Sequence, residues 1–83
     1  MRAAVEISMY PLTGEYRPPI RAFIERLKAR AHWTVRSNTL STQVWGELDD
    51  LMRHLSDEIA RAAAEGPQLV FVLKVLPGLA PPA

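Results

Sequence analysis

The chain has no cysteine and only four glycines among its 83 residues, and each scarcity removes a class of chemistry. Without cysteine there is neither a disulfide framework nor a thiolate metal site to staple a small core, which points to a reducing, cytoplasmic setting. Gly14 and Gly46 stand alone, so the sequence offers no phosphate-cradling loop. There is no excess of one charge: ten Lys and Arg oppose nine Asp and Glu, for a net charge of +1. The basic residues are scattered, too weak a field to argue for nucleic acid. No segment approaches the roughly 20 apolar residues that span a bilayer. Met1-Arg2-Ala3-Ala4 runs straight into an alternating pattern, without the apolar core and cleavage site of a signal peptide. Internal repeats and linkers are absent as well.

What is present is a single domain's worth of alternating and helical patterns. At this length folding removes only roughly 60–65% of the unfolded chain's surface from water, so the margin of stability is thin and self-association would help. From Ala4 to Tyr10, Val5, Ile7 and Met9 point one way and Glu6, Ser8 and Tyr10 the other, the period of a strand. Pro11 ends it, a loop follows, and Pro18-Pro19 suits the first turn of a helix. Ile20, Phe23, Ile24, Leu27 and Ala31 then make an apolar helical stripe of about four turns. His32 breaks it. Trp33 to Asn38 and Ser41 to Trp45 read as two strands joined by a short turn.

Glu47, Asp49 and Asp50 fall in the first turn of a second helix, where the positive end of the helix dipole favours carboxylates. Its stripe is Leu48, Leu51, Met52, Leu55, Ile59, Ala62 and Ala63, and Gly66-Pro67 stops it. Gln68 to Leu76, rich in β-branched residues, is a last strand. The order predicts an α+β fold: a ferredoxin-like β-α-β-β-α-β arrangement, a four-stranded antiparallel sheet with two helices on one face. The domain covers 1–78, and Leu79–Ala83 forms a Pro-rich tail.

By parity the helix-covered face takes Val5, Ile7, Met9, Val35, Val44, Leu69, Phe71, Leu73 and Val75, and Trp33 belongs to that core. The open face takes Glu6, Ser8, Tyr10, Thr34, Arg36, Asn38, Gln43, Trp45, Val70, Val72 and Lys74. A strand buried on one side should alternate cleanly, yet Val70 and Val72 point outward beside inward Leu69, Phe71 and Leu73. Something covers part of that face, and a second copy of the chain is the economical candidate.

The sequence spells out no catalytic engine. Ser8 or Ser41 would need His32 or His54 as base, with no orienting third residue or oxyanion loop in sight. Arg36 and Asn38 share a strand face and do not form an anion-binding loop. The two histidines lack spaced carboxylate or cysteine companions, so neither a metal ion nor a cofactor is expected. The expectation is a protein that binds rather than catalyses.

Val5-Glu6-Ile7-Ser8-Met9-Tyr10-Pro11-Leu12 and Asn38-Thr39-Leu40-Ser41-Thr42-Gln43-Val44-Trp45-Gly46-Glu47 resemble the YkoF-like thiamine/hydroxymethylpyrimidine-binding family. The most specific part is the Asn-x-x-Ser-Thr-x-Val-x-Gly run, and the likeness extends to Pro77-Gly78. It implies a ferredoxin-like domain that associates through its sheets, as a homodimer or dimer of dimers, with a pocket for thiamine or its pyrimidine half on the exposed sheet face or at a subunit interface.

Such a ligand needs both donors and acceptors, which Asn38, Ser41, Thr42 and Gln43 supply, with Ser8 beside them. Trp45 or Tyr10 could face the thiazolium cation, worth ~0.5–2 kcal/mol, and Glu6 could be its counter-charge. Each residue also has a plainer reading. Glu6 pairs with Arg36 or Lys74 across the sheet; Trp45 and Tyr10 pack an interface; Asn38-Thr39 is a hairpin turn, with Ser41 and Thr42 serving the local backbone. Under that reading the chain is a non-catalytic homo-oligomeric interaction module without a metabolite ligand.

Overall fold

The computed structural model describes residues 1–82, so Ala83 of the expected tail lies outside the described residues. The elements run β1 (Arg2–Pro11), α1 (Arg17–Lys28), β2 (Thr34–Ser37), β3 (Thr42–Glu47), α2 (Leu48–Glu65) and β4 (Leu69–Pro77). The strands form one antiparallel sheet in the order β2-β3-β1-β4, the ferredoxin-like arrangement read from the pattern. No helix is long and apolar enough to cross a membrane among the described residues.

The core is the apolar side of β1, β3 and the two helices. Val5, Ile7, Val44, Phe23, Leu27, Leu51 and Leu55 are buried there, Trp33 closes one end, and Phe71 tilts against Phe23 with ring centroids 5.2 Å apart. Trp33 is fixed by more than packing, since its Nε1 donates to Asp50 Oδ2 at 2.6 Å. That hydrogen bond, partly opposed by burial and reinforced by His54, holds the Asp50 carboxyl below its ordinary range. Gly46 is required by space: a Cβ there would stand 3.0 Å from the Trp33 ring and 3.3 Å from Leu51.

Several positions depart from the expected stripes. Helix α1 stops at Lys28, and Ala31 is exposed beyond it. After Leu27 only the small Ala31 would continue the buried face, and the chain tightens first through Arg30 N–H to Leu27 C=O. On α2, Met52 and Ala63 are exposed, and Glu58 takes a place on the buried stripe instead. Its carboxylate accepts from Arg26 Nε at 2.7 Å and Arg30 Nη2 at 3.0 Å, tying the two helices together. Burial pushes this carboxyl up, but the two arginines outweigh that and keep it below its ordinary range. Val75, expected under the helices, is 41% exposed. It lies near the far end of β4, an edge strand that neither helix covers there.

Candidate ligand-binding site

The site follows from a mismatch in strand length. Pairing between β1 and β3 ends at Ile7↔Thr42, whereas pairing between β1 and β4 continues to Pro11↔Leu69. From Ser8 onward, therefore, β1 has a neighbour on one side only. A longer β3 would place Leu40 opposite Met9, but the chain bends away first. Asn38 Oδ1 accepts the N–H groups of Leu40 at 2.8 Å and Ser41 at 3.0 Å, and Asn38 N–H donates to Ser41 C=O. An Asn side chain that gathers the backbone ahead of it is the local chemistry of a turn. Leu40 is left 85% exposed.

The space so vacated is a cavity of about 180 Å³ between the end of β1, the β2–β3 hairpin and the first half of α1. Ile7, Met9, Ile20, Phe23 and Ile24 give it apolar walls with Leu40 at the mouth, and Ser8, Tyr10, Asn38, Thr39, Ser41 and Thr42 give it a polar rim. A hollow of about 390 Å³ adjoins it along α1, sharing Ile20, Ile24, Asn38 and Thr39 and adding Tyr16, Arg17, Arg21 and Glu25. An apolar recess with a few converging polar groups is the usual form of a small-molecule site, with volumes of roughly 300–1,000 Å³.

Of the residues singled out in the sequence, Ser8, Tyr10, Asn38, Ser41 and Thr42 line this cavity. Glu6 and Gln43 reach it through Ser41. The Ser41 hydroxyl donates to Glu6 Oε2 at 3.1 Å and accepts from Gln43 Nε2 at 2.8 Å, while Lys74 Nζ lies 3.5 Å from Glu6 Oε1. The cross-strand partner of Glu6 is thus Lys74; Arg36 instead lies over the Trp45 ring at 6.0 Å. Thr42 Oγ1 and Ser37 Oγ share a hydrogen bond of 2.6 Å. None of these bonds uses Ser8 Oγ, Tyr10 Oη or Asn38 Nδ2.

Trp45 is not part of this group. It pairs with Ala4 and Thr34, three residues along β3 from Thr42 and so ~10 Å away. The residue is 7% exposed although parity turns it to the face without helices, and its Nε1 is buried without a hydrogen-bond partner among the described residues. The apolar pattern marks Met9, Ile20 and Ile24 only as core. Their place in a cavity wall depends on where β3 begins, and no local sequence signal carries that.

No family model matches the chain, and no curated protein matches it with significance. Solved structures do. Protein SP2199 from Streptococcus pneumoniae superimposes with a TM-score of 0.86 at 25% identity, over 95% of this chain and 89% of that one. TM0486 from Thermotoga maritima, provisionally assigned to thiamine biosynthesis or salvage, gives 0.83 at 17% identity, over 92% and 83%. A domain of unknown function, DUF77, from Bacillus cereus gives 0.73 at 17% identity, over 90% and 74%. At the level of fold these likenesses agree with the YkoF-like resemblance.

Proposed function

We propose that the chain is a small-molecule binding protein of the thiamine/hydroxymethylpyrimidine type. The observation that carries this reading is the cavity beside the end of β1, where an apolar recess meets Ser8, Tyr10, Asn38, Ser41 and Thr42. A flat aminopyrimidine fits such a recess: its faces contact isoleucine and phenylalanine, and its edge meets donors and acceptors. The thiamine-related description of TM0486 supports the same ligand class. The adjoining hollow carries Arg17 and Arg21 against one Glu25, a balance that does not attract the cationic thiazolium. The neutral hydroxymethylpyrimidine is accordingly the better ligand than whole thiamine.

A binding role, rather than a catalytic one, is supported by the placement of the histidines. His54 Nδ1 sits 2.9 Å from Asp50 Oδ1, and His32 groups with Arg2, Glu47 and Asp50, away from the cavity and its serines. Isothermal titration calorimetry with hydroxymethylpyrimidine tests the site. The parent gives saturable binding, and Ile24→Trp, which fills both hollows, abolishes it. Binding that survives Ile24→Trp unchanged would remove this cavity as the site.

A homo-oligomer is favoured by one further observation. On the uncovered edge strand β4, Val70, Val72 and Leu76 are 44%, 47% and 42% exposed. A second copy that covers this strand removes both the apolar surface and the unpaired edge.

A further inference from the structure

The bend at Asn38 leaves one pair of backbone groups at the cavity without a place in the sheet. In an antiparallel strand both the N–H and C=O of a residue point to the same neighbour, and successive residues alternate. In β1 the sides are marked at the ends. Met1 C=O accepts Leu48 N–H on the β3 side, whereas Arg2 C=O accepts Gly78 N–H and Leu12 N–H donates to Gln68 C=O on the β4 side. Odd-numbered residues therefore face β3. Ile7 is the last of them with a partner, opposite Thr42, and Pro11 has no N–H to offer. Met9 lies between, its backbone donor and acceptor directed at the position Leu40 would occupy if Asn38 did not hold its N–H.

Taking the proposed pyrimidine site as given, we infer that the ligand pairs edge-on with the backbone of Met9. A ring nitrogen accepts the Met9 N–H, and the exocyclic amine on the adjacent carbon donates to the Met9 C=O, so that the heterocycle stands where a residue of β3 is missing. The class recognised is a planar heterocycle with an acceptor beside a donor. A backbone donor and acceptor fixed by the β1–β4 ladder are already oriented, and they lie against the apolar recess, where a hydrogen bond left unmade is costly. Selectivity for the amidine-like edge then belongs to strand geometry, and the hydroxyls of Ser8 and Thr42 trim the remainder of the ring.

Amide hydrogen exchange by NMR on the ¹⁵N-labelled chain tests this, with 4-amino-5-hydroxymethyl-2-methylpyrimidine as probe. In the free protein the Met9 amide exchanges faster than those of Ile7 and Tyr10, which bond to β3 and β4. The probe slows Met9 exchange at least ~10-fold, and the analogue lacking the 4-amino group binds about five- to tenfold more weakly. Met9→Pro removes an N–H that no ladder uses and weakens the probe to a similar degree; if that variant does not fold, exchange in the parent decides. A probe that binds while Met9 exchange is unchanged, or an analogue that binds equally well, overturns the edge pairing and leaves the binding protein standing. A parent that binds neither compound overturns both.

Discussion

Replacing Gly46 by alanine tests the packing that holds β3, and with it the hairpin, in place. The new Cβ would stand 3.0 Å from Trp33 Cδ1 and 3.3 Å from Leu51 Cδ2, against about 3.5–4.0 Å for comfortable carbon contacts. Neither neighbour can yield easily. The Trp33 ring is bonded to Asp50 at 2.6 Å and covered by the Arg30 guanidinium at 5.2 Å, and Leu51 is fully buried. Overpacking of this kind costs ~1–3 kcal/mol, and the lower entropy of the unfolded alanine chain returns ~0.4–1 kcal/mol. The net loss is about 1–2 kcal/mol, or a Tm lower by about 5–15 °C in a chain of this size. Gly14→Ala is the control, since nothing lies within 4 Å of its Cβ and the same entropy term then stabilises slightly. Urea denaturation of both variants reads the difference directly. A Gly46→Ala protein as stable as Gly14→Ala would refute the close approach of β3 to Trp33.

Glu58→Gln leaves Arg26 and Arg30 without their shared carboxylate and lowers stability at neutral pH by about 2–3 kcal/mol, Arg30 being partly solvated. Because the folded Glu58 carboxyl is held below its unfolded value near 4.5, its contribution is present above that pH and is lost as pH falls through the folded value. Urea midpoints measured across this range fall steeply in the parent and less so in the variant. Asn38→Ala removes the acceptor for two exposed backbone N–H groups; stability falls by about 1 kcal/mol, and titration calorimetry shows weaker pyrimidine binding as the rim of the cavity loosens. Val72→Glu puts a charge in the middle of the apolar edge strand, and size-exclusion chromatography shows a folded monomer where the parent runs as an oligomer.

The topology was legible because two periods, 2.0 in the strands and 3.6 in the helices, are written cleanly, and prolines punctuate them at 11, 18, 19 and 67. The cavity was legible only in its polar rim. Its existence depends on β3 starting at Thr42 while β1 runs on to Pro11, a difference set by the turn that Asn38 closes. Asn38 does the turn work of the plainer reading while also standing at the rim. Glu58 could not be placed from the pattern, since its burial depends on arginines brought up from elsewhere in the chain, Arg26 on α1 and Arg30 just beyond its end. Parity put Trp45 on the face without helices, but it could not show a nearly buried ring three residues from the cavity. Val75 was placed inside by parity alone, which does not report where a helix stops covering an edge.

Thermal unfolding at fixed protein concentration, with hydroxymethylpyrimidine, thiamine, thiamine phosphates and unrelated heterocycles, shows whether the folded chain binds a pyrimidine. A ligand that binds only the folded chain adds about 2.7 kcal/mol at a hundred times Kd, some 10 °C or more for a domain of this size. A saturable rise is expected with hydroxymethylpyrimidine, a smaller one with thiamine, none with the unrelated heterocycles, and no rise in Ile24→Trp. A flat melting temperature across the whole series would contradict it.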